Sequence, residues 1–195
     1  MTSTVDTPDW STIPAPVDDG AVRHLLGART ASIPLRATHG EAVDLSALRG
    51  RTIVYAYPRT GRPGVENPEG WDMIPGARGC TPQSCSFRDH FTELKALEVD
   101  HLFGLSTQDP DYQREAADRL HLPFAILSDE HLTLTRAMNL PVFETDGMTL
   151  LKRFTLVIDG GCVEHVFYPV FPPDRSAADV IAWLSGRAGS PVRVP

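Results

Sequence analysis

The chain has 195 residues, 42% of them hydrophobic and 22% charged, and a formal charge of −7. That is an ordinary globular composition, long enough to bury a core without covalent staples, and its acidic balance offers nothing to a nucleic-acid backbone or an anionic membrane surface. Three cysteines are an odd number and too few for a disulfide scaffold, so any disulfide is expected to be transient and chemical rather than structural.

Residues 1–20, "MTSTVDTPDWSTIPAPVDDG", show no period and read as an extended arm packed along the domain surface. They hold no basic patch followed by an apolar run, so no secretory leader is expected. No stretch of the chain approaches the roughly 18 apolar residues of a membrane span, and a reducing cytoplasm is the expected compartment. "AVRHLLGA" (21–28) reads as a short helix after Asp18 and Asp19, and "ASIPLRATHGEAVDLSAL" (31–48) alternates around a His-Gly turn as a small hairpin. "TIVYAYP" (52–58) is a buried strand, followed by a long Gly/Pro-rich loop, "RTGRPGVENPEGWDMIPGARG" (59–79). In the next segment Phe87, Phe91, Leu94 and Leu97 recur at helical spacing. Thr81 is the expected N-cap there, with Pro82 at the first helical position.

"HLFGLST" (101–107) is a strand, "DYQREAADRLHL" (111–122) a helix, "FAILSD" (124–129) a strand, and "HLTLTRAMNL" (131–140) a short helix ending near Pro141. "LLKRFTLVID" (150–159) and "CVEHVFYPV" (162–170) flank Gly160-Gly161 as a hairpin. "DRSAADVIAWLSGR" (174–187) closes the fold as an amphipathic helix. Strands alternating with helices predict a three-layer α/β/α domain, and the hairpin makes the central sheet mixed. The expected division is an arm at 1–28, one domain at 29–187 and a tail at 188–195.

"GARGCTPQSC" (76–85) holds two of the three cysteines, Cys80 and Cys85. Cys80 precedes or opens the helix that follows the buried strand. Helix N-termini carry partial positive charge and free N–H groups, which favour a thiolate. A thiolate can attack a peroxide O–O bond to give a sulfenic acid, which a second thiol converts to a disulfide. Five positions along an intact α-helix correspond to about 7.5 Å of axial rise, and Cα atoms more than about 7 Å apart cannot be bridged without backbone movement. The pair therefore cannot close until the first turn unwinds.

"GCTPQSCSFRD" resembles the active site of peroxiredoxins of the bacterioferritin-comigratory-protein (PrxQ) type, "YAYP" resembles the strand ending before that site, and "RFTLVIDGG" resembles the group's arginine strand. The likeness covers roughly residues 29–187 in order. It implies a thioredoxin-like fold and reduction of hydrogen peroxide and organic hydroperoxides, with electrons from thioredoxin or a similar dithiol. It further implies that Cys80 is peroxidatic, that Cys85 resolves it, that Arg153 holds the thiolate and polarises the peroxide, and that Pro58 ends the strand and shields the site. The family's site threonine stands three positions before its cysteine, where this chain has Ala77. Thr60 and Thr81 are the available substitutes.

Residues 61–74 form an insertion expected to rim the site, with Trp71 packed on its own domain. Cys162 follows the hairpin turn some 20 Å of strand away from Arg153, too far to resolve Cys80 directly. His39, His90, His101 and His165 show no metal-ligand spacing with any cysteine, so neither metal nor cofactor is expected. Monomer and homodimer both remain open. Two other functions fit the cysteine pair: a redox-sensing module built on the same switch, and a protein-disulfide oxidoreductase, which the absence of CxxC disfavours.

Overall fold

In the computed structural model, which describes residues 8–188, a seven-stranded mixed sheet runs in the order β2-β1-β5-β4-β3-β8-β9. At its centre β3 (Arg51–Ala56), β4 (Val99–Ser106) and β5 (Ile126–Ser128) are parallel. The hairpin of β1 (Pro34–Ala37) and β2 (Ala42–Asp44) extends one side, antiparallel to β5. On the other side β8 (Phe154–Asp159) lies antiparallel to β3, and β9 (Cys162–Phe167) forms the edge.

Alternation along β3 explains the layering. Ile53, Tyr55 and Tyr57 face one side, with Phe87 and Leu94 from α1 (Cys80–Asp89) and α2 (Phe91–Ala96), Ala117 from α3 (Pro110–Arg119), and Val180 and Leu184 from α5 (Ser176–Ala188). Val54 and Ala56 face the other, covered by Leu134 and Met138 of α4 (Thr133–Met138) and by Val22 and Leu25 of the N-terminal segment. Buried on both faces, the central strands have the near-continuous apolar sequence that parallel strands require. The fold is the expected three-layer α/β/α arrangement with a mixed sheet.

Several local expectations need correction. The helix opens at Cys80 with Gly79 as N-cap, not at Pro82 with Thr81 as cap. Gly79 holds φ at +106°, where a β-carbon is strained, and an added Cβ would meet Pro173 at 2.6 Å and Trp10 at 2.8 Å. Pro82 is tolerated at the third position because the first-turn N–H groups have no intrahelical acceptor anyway. The segment beyond is two helices, broken at His90, whose backbone N–H and ring Nδ1 both bond the Ser86 carbonyl, at 3.1 and 2.8 Å. Residues 21–28 contain a 3-10 turn, Arg23–Leu25, and no longer helix. The strand expected over 150–159 is interrupted at Lys152 and Arg153. Its first part is β7 (Met148–Leu151), paired with β6 (Val142–Thr145) in a separate hairpin turned at Asp146-Gly147. Residues 1–7 of the expected arm and 189–195 of the expected tail lie outside the described residues.

Candidate active site

The topology brings the two ends of the motif together. Ala56, the last residue of β3, pairs with Phe154, the first of β8. Arg153 therefore stands beside the exit of β3, from which the 57–79 loop runs up to α1. Tyr57, Tyr55 and Phe87 stack in series, with ring centroids 5.9 and 4.5 Å apart, and hold α1 against the sheet. The Tyr55 hydroxyl donates to Ser84 Oγ at 3.1 Å.

Cys80 is the first residue of α1 and is 4% exposed. Its Sγ lies 3.3 Å from Arg153 Nη2, which also faces the carbonyls of Gly76, Ala77 and Arg78 at 3.2, 3.3 and 3.2 Å. As a thiol, Cys80 donates to the Ala77 carbonyl at 3.6 Å. Arg153 Nη1 donates to Gln83 Oε1. The Gln83 amide donates in turn to Ser176 Oγ at 3.2 Å, and that hydroxyl lies 3.3 Å from Thr155 Oγ1. Arg153, Gln83, Ser176 and Thr155 are all buried, so the guanidinium is fixed from three elements at once. A guanidinium thus bonds the sulfur of the first residue of a helix, whose N-terminal N–H groups have no intrahelical acceptor.

Cys85 is buried on the same helix, and burial pushes its thiol up from the usual range against the opposing pull of Arg88. Both cysteines are free. Cys162 pairs with Asp159 at the opposite end of β8 and donates to the Gly27 carbonyl at 3.5 Å. A cavity of about 350 Å³ opens onto Cys80, lined also by Arg59, Arg62, Trp71 and Thr81.

The redoxin family model matches residues 17–181 of this chain. Peroxiredoxin Bcp of Escherichia coli K12 is 32% identical over 154 residues, which cover 76% of this chain and 88% of that protein. The chain belongs to the redoxins, as a peroxiredoxin of the PrxQ/Bcp type. Peroxiredoxin Q of the rice chloroplast, Oryza sativa subsp. japonica, is 30% identical over 160 residues, 81% of this chain. The chain spans 65% of that longer protein's length. Among solved structures it resembles the peroxidoxin BcpB of Mycobacterium tuberculosis, with a TM-score of 0.66 and 25% identity, covering 83% of this chain and 96% of that one.

Within this peroxiredoxin fold the residues singled out from sequence have distinct places. Cys80 and Arg153 meet; Cys85 lies on the same helix, five positions further on; Pro58 is buried beyond the end of β3 and is not among the residues lining the cavity. Ala77 contributes its carbonyl to Arg153, while its methyl packs with Trp71 and Leu150. Of the two substitute threonines, Thr60 is buried and engaged by Gln108, its hydroxyl 3.2 Å from Oε1, whereas Thr81 lines the cavity directly after Cys80. Trp71 packs on the β6–β7 hairpin beside Phe143, as its own-domain reading required. Among the described residues no cluster of His, Cys, Asp and Glu could hold a metal ion. Sequence reasoning missed Gln83 and Ser176. Neither carries a spacing signal, and only the packing of α5 against α1 brings them together.

Proposed function

We propose that the chain is a thiol peroxidase in which Cys80 attacks hydrogen peroxide and organic hydroperoxides, Cys85 resolves the product, and a thioredoxin-type dithiol restores both thiols. The observation that carries this reading is Arg153 Nη2 at 3.3 Å from Cys80 Sγ, at a helix N-terminus open to a cavity.

The Cys80 thiolate attacks one peroxide oxygen and the O–O bond breaks. The displaced alkoxide or hydroxide takes a proton from water and leaves as alcohol or water, and Cys80 is left as the sulfenic acid. Arg153 and the free N–H groups of Cys80 and Thr81 face the developing negative charge. In this reading Thr81, which lines the cavity, supplies the hydroxyl that the family threonine would. The first turn of α1 then unwinds and Cys85 comes within bonding range. Its sulfur attacks Cys80, water departs, and the Cys80–Cys85 disulfide forms. A dithiol donor reduces it by exchange and is itself oxidised to a disulfide.

The test is peroxide consumption coupled to a thioredoxin system. Wild-type protein should turn over. Cys80→Ser should be inactive, and Arg153→Ala should react about 10²- to 10³-fold more slowly in the attack step. Cys85→Ser should stop after one oxidation, with Cys80 open to further oxidation. A wild-type protein that forms the disulfide with peroxide yet shows no turnover with any dithiol would replace the enzyme with a redox switch.

A further inference from the structure

The cavity over Cys80 is lined by Arg59, Arg62, Arg78 and Arg119, and no acidic residue lines it. In a chain with a net charge of −7, that concentration of cations at one opening calls for a reason. Arg78 is neutralised by Asp72, and Arg119 by Glu115 at 2.7 Å. Arg59 and Arg62 have no carboxylate partner among the described residues. Both are held by Tyr112: Arg59 Nη2 donates to its hydroxyl at 3.2 Å, and the guanidinium carbons lie 5.7 Å (Arg59) and 4.0 Å (Arg62) from its ring centroid. Arg62 Nε is buried and has no hydrogen-bond acceptor among the described residues. Two like charges gathered at one ring repel each other. An anion in the cavity bound by both guanidiniums would offset that repulsion, and a guanidinium fork matches a carboxylate in particular.

We propose that Arg59 and Arg62 form an anion subsite of the peroxide cavity, which selects organic hydroperoxides carrying a remote carboxylate over neutral ones. This rests on the thiol-peroxidase reading and adds a substrate class to it. The hydroperoxyl end meets Cys80 while the carboxylate is held at the rim, and the product is the corresponding hydroxy acid. The subsite draws on the insertion directly, since Arg62 belongs to residues 61–74.

The experiment compares a hydroperoxy carboxylic acid with its own methyl ester, which keeps the shape and removes the charge. The acid-to-ester ratio of kcat/KM, being taken on one preparation, does not depend on the fraction of active protein. In wild type it should be about tenfold or more at low ionic strength and fall towards one in high salt. Arg59→Gln/Arg62→Gln should bring the ratio close to one at low salt, and Arg59→Lys/Arg62→Lys should retain part of it. A second arm needs no turnover: the hydroxy acid and its methyl ester are titrated into Cys80→Ser protein by tryptophan fluorescence, with Trp71 in the cavity wall as reporter. If no hydroperoxide is consumed, the peroxidase reading fails, and this arm still decides the subsite. Equal behaviour of acid and ester in wild type, or a preference that survives in the Gln double variant, overturns the proposal.

Discussion

A buried arginine beside a cysteine needs more than its charge to stay in place. Arg153 is 3% exposed, and its Nη1 relies on one side-chain acceptor, Gln83 Oε1. Gln83 is in turn oriented by Ser176, 93 positions away in sequence. Gln83 is thus a positioning residue, acting on Cys80 through the guanidinium. Gln83→Met keeps the volume and removes the acceptor, leaving a buried charged donor unsatisfied. Peroxide attack should slow by about 10- to 100-fold. Gln83→Glu should keep the arginine in place but add a negative charge beside the sulfur, moving the pH profile of attack to higher pH. Stopped-flow rates across pH check both; identical profiles in Gln83→Glu and wild type would reduce Gln83 to packing. Cys80, Cys85 and Arg153 could be singled out in the sequence because their types and order carry the proposed chemistry, and the fold brings Cys80 and Arg153 together. The sequence hid Gln83 because a glutamine in the first turn of a helix is ordinarily solvated, and only the fold shows that this one is not.

In the proposed cycle the first turn of α1 is the element that moves, and the contacts around it set how readily it does. Pro173 and Trp10 close over Gly79. Trp10 is itself anchored by its indole N–H on Asp174 Oδ2 at 2.9 Å and by an edge-on contact with Phe171 at 6.0 Å. Further along the same segment, Asp19 accepts from Lys152 at 2.6 Å and from Tyr168 at 2.7 Å. These bonds hold its carboxyl at about 2. The N-terminal segment therefore lies as a strap across the turn that the proposed cycle unwinds. Trp10→Ala should loosen it, raising the rate of disulfide formation from the sulfenic acid by about tenfold and speeding amide exchange over 80–84. An unchanged resolution rate in a folded Trp10→Ala protein would leave the strap without influence on the turn. Composition alone led to the expectation of an arm but not to where Trp10 lies, because its anchors, Phe171, Pro173 and Asp174, come from the far end of the chain. The β6–β7 hairpin was a different omission. Its Asp-Gly turn is an ordinary hairpin signal, passed over because β7 reads on without a break into the arginine strand.

At the scale of the whole molecule, the proposed Cys80–Cys85 disulfide would set a short cross-link against a cooperative set of native contacts. Closing so small a loop removes little freedom from the unfolded chain, worth about 2 kcal/mol in the loop-entropy account. Unwinding the turn gives up the charged bond from Arg153 to Gln83, the Gln83–Ser176 and Tyr55–Ser84 bonds, and the Gly79 packing. At about 1 kcal/mol for a neutral bond and 1.5–3 for a charged one, that set outweighs the cross-link by about 2 kcal/mol. The oxidised protein should therefore melt below the reduced one, by about 4–8 °C for a domain of this size, although a disulfide ordinarily stabilises. The gap should also depend on pH through Cys85, which titrates only in the reduced form. Burial favours its neutral thiol, so folding holds its pKa above the unfolded value. The stabilisation is fully present below the unfolded pKa of about 8.5 and is lost as pH rises through the higher folded value. Calorimetry of both forms from pH 7 to alkaline conditions should show the reduced protein's advantage shrinking upward in pH, and the melting temperature of reduced Cys85→Ser should decline less than that of reduced wild type over the same range. An oxidised form that melts at or above the reduced one at neutral pH would mean that the disulfide closes without melting the turn.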